Sequence, residues 1–447
     1  MVTAPRVGLE QRRAGGRGAR AVVKRGAQSR WFRDLDGPTA LEHLRAQEAI
    51  RVPDLLPLRY KRMAASPWTY FRGAAAVMAA DLASRVHSGI LVQMAGDAHV
   101  LNFGLWATPE RSLTFALRDF DETLPGPFEW DVKRLAASLV IIARENGHRD
   151  AVGLDAVKTC VQAYRDRMRR YADTDQLAIW YDAIHVEELL GHFADDARDV
   201  ARRHIAKKAR RRNNQGAFDR LVDTVDGRVR IRENPPLLTH LDHPRRLEIV
   251  HEVYERYLDT LQDDRKVCLS RFTYADAVRQ VVGVGSVGML VHLVLLTRPR
   301  GEPLFLQVKQ AGPSVYERHL GPSLYANHAA RVINGKRLIQ SATDIFAGWT
   351  SYDGSDFYVR QFRDMKVIPD THLIRRVLAD FARACGEALA KAHARSGDPV
   401  AIDAYLGRND TFTRAMCSFA RTYADRNEVD HADLVVAVAS EEPAHRI

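Results

Sequence analysis

The sequence predicts an α+β fold in which a small antiparallel sheet lobe interrupts a larger helical lobe. Three observations predict it. Helical periodicity dominates the first half of the chain, β-branched and alternating runs replace it between about 278 and 310, and helical periodicity returns after about 371. The expected organisation is a disordered basic arm at 1–33, a helical lobe at 34–270 carrying two acid-bearing loops, a small β lobe at 271–365 with a glycine-rich loop, and C-terminal helices at 366–447 that return to the helical lobe.

Residues 38–50 read as a short helix, and Val52-Pro53 through Pro57 as a turn. Ser66-Pro67 is a helix start, the serine capping and the proline taking the first helical position, where no N–H partner is needed. An alanine-rich helix follows over Tyr70–Ala83, and Ser88-Gly89 breaks it. Ile90–Met94 is a strand entering the loop Gly96–Gly104, and Ser112–Leu117 is a second short strand leading into Asp119-Phe120-Asp121. Pro125-Gly126-Pro127 turns the chain into a helix over Trp130–Glu145, and helices fill most of 151–213. The stretch 216–245 reads as irregular, and helix resumes over 246–263. Arg279–Gly283, Met289–Thr297 and Leu304–Gln310 read as strands, the last two joined by a turn with Gly301 and two prolines. A helix near 322–341, a strand at Phe357–Gln361 and helices at about 371–394 and 409–425 complete the chain.

Of the 447 residues, 46% are apolar and 27% charged, which excludes wholesale disorder and fibrous repeats. No apolar run approaches the roughly 18 residues of a membrane span. The four cysteines, Cys160, Cys268, Cys385 and Cys417, form no CxxC pair, which argues against a disulfide scaffold or zinc ribbon and fits a reducing cytoplasm. Arg12-Arg13 is followed by no hydrophobic core, so no secretory signal is expected. Net charge is +10, a surplus that favours polyanions and phosphorylated small molecules without naming one. Residues 1–33 carry nine Lys/Arg against Glu10, with Gly15, Gly16 and Gly18, so a mobile arm is expected. A second cluster, Arg202-Arg203, Lys207-Lys208 and Arg210-Arg211-Arg212, lacks interleaved aromatics. It reads as a solvated helix face before a nucleic-acid patch.

The segment Gly96-Asp97-Ala98-His99-Val100-Leu101-Asn102-Phe103-Gly104 places an acid, an imidazole and a carboxamide on one loop after a strand. In Asp119-Phe120-Asp121-Glu122, extended backbone would project Asp119 and Asp121 to one face. Crowded acids repel unless a cation lies between them, and hard oxygen ligands suit Mg²⁺ or Mn²⁺; turn-capping or pairing with arginines is the bland alternative. Arg72 and Arg134 are candidates for a phosphate or for structural pairing with these acids. His99, without a second histidine at metal spacing, reads as structural, and Trp130 and Trp349 as core.

Gly283-Val284-Gly285-Ser286-Val287-Gly288 matches GxGxxG, a weak signal alone. A dinucleotide fold would need a helix next, whereas a strand, a hairpin and Leu306-Gln307-Val308-Lys309 follow here. Strand, glycine loop, strand, turn and strand with a lysine is the layout of a phosphate-covering kinase loop. Alternation puts Leu304, Leu306 and Val308 on one face and Phe305, Gln307 and Lys309 on the other. The candidate nucleotide-binding residues are Gly283, Gly285, Ser286, Gly288 and Lys309.

The blocks Ser66-Pro67 with Phe71-Arg72-Gly73, GDAHVLNFG, DFDET, PGPFEWDVKRLAAS, VVGVGSVG, LQVK, FYVRQ and ALAKAHARSGD resemble, in order and over about 30–430, a bacterial family of uncharacterised proteins. More distantly, GDAHxxN followed by DFD is similar to aminoglycoside and choline kinase-like phosphotransferases. That resemblance implies a two-lobed protein-kinase-like fold with Asp97 as catalytic base, Asn102 as metal ligand and Asp119 as principal metal aspartate, and Asp121 is expected as a further metal ligand beside it. The glycine loop and lysine follow the catalytic loop here, so the implied fold is circularly permuted, which loop-closure entropy tolerates. Asn334 stands where a helix glutamate is expected to meet Lys309, and Gln307 where a small residue would flank adenine. The resemblance implies Mg²⁺ (or Mn²⁺) and ATP, and an unknown hydroxyl acceptor. Two other readings stay open: a phosphoesterase or nuclease built on Asp97, His99, Asp119 and Asp121, and a non-catalytic nucleic-acid-binding protein.

Overall fold

The computed structural model describes residues 7–34, 36–193, 195–225, 227–240, 246–283, 285, 287–363, 365–367 and 371–441. Helix α1 (Leu9–Val22) opens the chain. Helix α2 (Pro67–Gly73) starts where the sequence predicts: the Ser66 hydroxyl accepts from Thr69 N–H at 3.2 Å while the Thr69 hydroxyl accepts from Ser66 N–H at 2.9 Å. The predicted helix over 70–83 is two helices, because the backbone leaves helical geometry at Ala74.

Strand β1 (Leu91–Met94) pairs antiparallel with β4 (Leu124–Pro127), and β2 (Phe103–Ala107) with β3 (Leu113–Leu117). These two short pairs carry the acidic loops. Helix α3 (Phe128–Glu145) is buried on nearly every face, so it forms the centre of the helical lobe. It packs against α4 (Asp150–Ala172). The basic cluster of 202–212 lies mostly on α5 (Asp195–Arg211), where Arg202 pairs with Glu187 at 2.8 Å.

Within the stretch expected to be irregular, α6 (Asn214–Leu221) and a hairpin over 222–231 form instead. The main sheet comprises β5 (Leu238–Thr239), β6 (Thr273–Gln280), β7 (Val291–Thr297), β8 (Pro303–Ala311), β9 (Gly348–Tyr352) and β10 (Ser355–Gln361), in the order β9-β10-β8-β7-β6-β5. Strand β6 ends before the glycines rather than running into them. Gly301, at φ +85°, turns the β7–β8 hairpin as its position predicts.

Alternation along β8 sorts the sheet's two faces. Leu304 and Leu306 pack under α7 (Arg246–Leu258) with Tyr257 and Val359, while Phe305, with Leu293 and Leu295, packs under α6 at Ala217. The small lobe therefore gathers α6 and α7 as well, and begins well before residue 271. Amphipathic periodicity marks a helix but not the sheet it covers. Helix α8 (His328–Ile339) joins the large core through Ala329, Val332 and Ile333. Helix α9 (Leu378–Ser396) crosses α4 so closely that a Cβ on Gly386 would overlap the Cys160 carbonyl. Helices α10 (Pro399–Leu406) and α11 (Thr411–Glu441) close the helical lobe. Among the described residues no helix is long and apolar enough to cross a membrane.

The basic arm is the clearest correction. Residues 9–22 are helical and docked on α10, with Arg12 donating to both Asp398 oxygens at 2.7–3.1 Å. Arg20 and Arg25 donate to the carbonyls of Tyr405 and Leu406, at 2.8 and 2.7 Å, and so cap the C-terminus of α10. Gly16, read as a source of flexibility, instead permits close packing, since a Cβ there would overlap the Ala401 carbonyl. Gly16→Leu should therefore release α1. Trypsin cleavage between Arg12 and Arg25 should accelerate about tenfold or more, and an unchanged rate would mean that docking does not depend on this contact.

Candidate active site

Gly96 brings the two acidic loops together. Its φ is +81°, and a Cβ there would overlap the Glu122 carbonyl, so only glycine lets the 95–99 backbone lie against Glu122. Asp131, on the first turn of α3, accepts from Ala95 N–H at 2.7 Å and Gly96 N–H at 3.0 Å. His393 of α9 lies 3.3 Å from Asp131 and 2.9 Å from the Tyr164 hydroxyl, all three side chains being buried. Tyr316 donates to the Gly96 carbonyl at 2.6 Å. The loop ahead of Asp97 is thus fixed on both sides by the helical core.

Asp97 receives Arg134 Nε at 2.9 Å, while Arg134 Nη2 holds the Phe71 carbonyl at 2.7 Å. Burial raises the Asp97 carboxyl above its ordinary value against the pull of Arg134, and Asp119 adds to the rise. Asn102 donates its amide N–H to the Asp97 carbonyl at 2.5 Å, which leaves its Oδ1 for another partner. Arg118 N–H bonds the Asn102 carbonyl at 3.0 Å, stitching the first acidic loop to the second. His99 packs edge-on against Trp68; burial, with Arg72, Arg134 and Arg118 nearby, pushes its imidazole far below its ordinary value. It is a neutral structural group.

Asp119 has a buried Oδ1 with no hydrogen-bond partner. Burial would raise its carboxyl, but Lys309, Arg360, Arg118 and Lys366 outweigh burial and hold it below its ordinary value. An ionised carboxylate with an idle oxygen suits a hard divalent cation that also keeps water and phosphate ligands. Asp121 does not join it. One Asp121 oxygen meets the Lys309 ammonium and the other accepts from the Tyr358 hydroxyl at 2.8 Å, so this residue is the lysine's partner and not a metal ligand. Among the described residues no three His, Cys, Asp or Glu side chains gather as a metal nest.

Lys309 is 3% exposed, and Asp121 with Tyr358 holds its ammonium above its ordinary value although burial opposes this. Asn334 donates to Ala330 of its own helix at 2.9 Å. The helix acts instead through Arg331, which donates to the carbonyls of Thr123, Asp121 and Gly312 at 2.7, 2.8 and 2.9 Å. Arg331, Asp131 and Tyr358 are the residues that sequence reasoning passed over. Register alone points to Tyr358, which sits opposite Lys309 in the ladder, and to Arg360, which sits opposite Gln307.

Of the glycine loop, Ser286 lies outside the described residues, as does Val284. Gly288, at φ +93°, accepts from Val52 N–H at 2.7 Å, Arg51 donates to the Val287 and Gly285 carbonyls at 2.5 and 3.1 Å, and Arg62 to Val282 at 2.8 Å. A Cβ on Gly283 would lie 3.8 Å from Arg72 Nη2, and Arg72 in turn feels both Asp97 and Asp119. A cleft of about 180 Å³ is lined by Gly285, Met289, Gln310, Arg51, Asp121 and Glu122. The late glycine-loop and hairpin segment and the second acidic loop thus border one cavity.

The architecture defines a two-part α+β protein with acids and a lysine gathered between its helical core and its main sheet. The chain belongs to the family described as uncharacterized protein conserved in bacteria (DUF2252), which it matches over residues 51–437. No curated protein and no solved structure matches it.

Burial pushes the Glu122 carboxyl up to about 7, although Val315 N–H donates to it at 2.7 Å. Between an unfolded value of about 4.3 and that raised value the folded chain binds more protons than the unfolded one, so stability falls as pH rises through this window. Glu122→Gln should flatten the fall. Between pH 5 and pH 8 the unmodified protein should lose on the order of 2 kcal/mol relative to the variant in urea unfolding; parallel profiles would show that Glu122 does not titrate there.

Proposed function

We propose that the chain is a Mg²⁺-dependent phosphotransferase of permuted kinase-like arrangement, moving the γ-phosphate of ATP to a hydroxyl of a small acceptor. The observation that supports this reading is that Asp121, the ion-pair partner of Lys309, and Gly285 of the glycine loop line one cleft, although the sequence separates them widely. Asp97, with its raised carboxyl and its Arg134 brace, is the group to accept the hydroxyl proton. Asn102 and Asp119 would hold the metal, which when bound would neutralise charge on the phosphates. Lys309 and the backbone of the glycine loop position the triphosphate. Catalysis then rests on positioning and fixed charge. The four unpaired cysteines suit a reducing cytoplasm.

The competing nucleic-acid reading loses its arm, because Arg12, Arg20 and Arg25 are spent on internal contacts.

The test is binding of a fluorescent ATP analogue with and without Mg²⁺. Removing Lys309 alone strands Asp121 and could destabilise the fold by roughly 3–5 kcal/mol, so Lys309→Met is paired with Asp121→Asn. Binding should be Mg²⁺-dependent, weaken about tenfold or more in the double variant, and lose its Mg²⁺ dependence in Asp119→Asn. Asp97→Asn should bind nucleotide yet fail to transfer phosphate. Absence of binding at millimolar nucleotide, or unchanged affinity in the double variant, overturns the reading.

A further inference from the structure

A larger cavity, of about 330 Å³, lies between the segment 33–44, α2 and one face of α11. It shares no lining residue with the cleft beside Asp121. Arg426, Asp430 and Leu434 are spaced by four along α11 and so present one face to it. Ion pairs hold that face to the rest of the chain. Arg33 meets Asp81 and Asp430, each at 2.6 Å, Arg426 meets Asp430 at 2.8 Å, and the Tyr423 hydroxyl donates to Asp81 at 2.8 Å. On the other side, Thr39 and Glu42 cap the short helix Ala40–Arg45 reciprocally. With its walls braced in this way, the cavity cannot close without breaking these pairs.

Tyr70, 1% exposed, lines the cavity, and its hydroxyl has no hydrogen-bond partner among the described residues. Arg426 Nε, likewise buried, has none either. Two idle donors in one lining are unfavourable unless something accepts from them. Pro38, Leu41, Leu44 and Leu434 supply the apolar part of the wall. Water fills such a space poorly, because each molecule needs about two to four polar partners and these side chains offer none. An anion fits no better. Both guanidinium groups of the lining already meet carboxylates, and Asp34 and Asp433 add negative charge at exposed positions. The volume falls within the roughly 300–1,000 Å³ of small-molecule pockets, which likewise set a few polar groups among apolar ones.

We propose that this cavity binds a neutral small molecule whose apolar body lies against Leu41, Leu44 and Leu434 and whose carbonyl oxygen accepts from the Tyr70 hydroxyl. An apolar cavity of about 150 Å³ holds benzene, so this one takes a body of about two fused rings. The site is separate from the acids and lysine of the cleft, and it stands whether or not the phosphotransferase reading does.

The test is titration of the full chain with coumarin, a neutral two-ring lactone, beside naphthalene, which has no acceptor, and 2-naphthoate, which is charged. Coumarin should bind below about 1 mM, and 2-naphthoate at least about tenfold more weakly. Tyr70→Phe should weaken coumarin about fivefold and leave naphthalene unchanged. The same variant should not lower the unfolding temperature, since the hydroxyl gives up no partner, so its weaker coumarin binding would not reflect a lost fold. Leu41→Trp, which fills the cavity, should abolish binding of both neutral probes. No coumarin binding up to about 5 mM would mean that the cavity holds water alone, and equal coumarin affinity in Tyr70→Phe or Leu41→Trp would place the probe elsewhere. Either result overturns the proposal, as does tighter binding of 2-naphthoate than of coumarin.

Discussion

The ion pair of Lys309 with Asp121 is the contact on which the placement of the two halves depends. It joins the sheet to the second acidic loop, and Lys309 is almost wholly buried. A buried pair stabilises a structure only where its remaining hydrogen-bond sites are also satisfied. Here the second Asp121 oxygen takes the Tyr358 hydroxyl, and Arg331 holds the Asp121 backbone carbonyl. The acid is therefore gripped from β8, β10 and α8 together, and a shift of any one element would leave a charge unpaired in the interior. That penalty fixes the register between sheet and loop more tightly than apolar packing would, because apolar surfaces tolerate sliding.

The first acidic loop is fixed by different means. Asp131 and Arg134 lie three residues apart on α3 and so share one helix face. The first holds the backbone ahead of Asp97, and the second holds the Asp97 carboxylate itself. Because α3 is the buried centre of the helical lobe, both contacts inherit the rigidity of that core. His393 and Tyr164 extend the same restraint to α9 and α4. Rigid support beneath a reactive group lowers the reorganisation that any charge transfer at it would require.

The α+β class, the acid-bearing loops and the face of β8 that carries Lys309 were legible because each depends on local spacing. Alternation sets Gln307 and Lys309 on one face whatever the rest of the chain does. The lysine's partner was not legible. An Asp-x-Asp pattern reads equally as two metal ligands or as one ligand and one ion-pair acid, and only the approach of β8 and β10 decides for Asp121. The docked N-terminal helix was hidden for a related reason. Gly16 means flexibility in isolation and close packing against Ala401 in context, and the carbonyls that Arg20 and Arg25 cap lie almost four hundred residues away. The extent of the small lobe was likewise invisible, since α6 and α7 announce an apolar stripe without naming the sheet that covers it.

The two acids of the cleft are driven in opposite directions by what surrounds them. Asp97 has a single cation in contact, Arg134, and burial dominates, so its carboxyl is raised. Asp119 has burial of the same sense, but Lys309, Arg360, Arg118 and Lys366 overcome it and the carboxylate stays ionised. Divergence of this kind divides labour between neighbouring acids: the one with the raised value is suited to take up a proton, and the one held ionised is suited to bind positive charge.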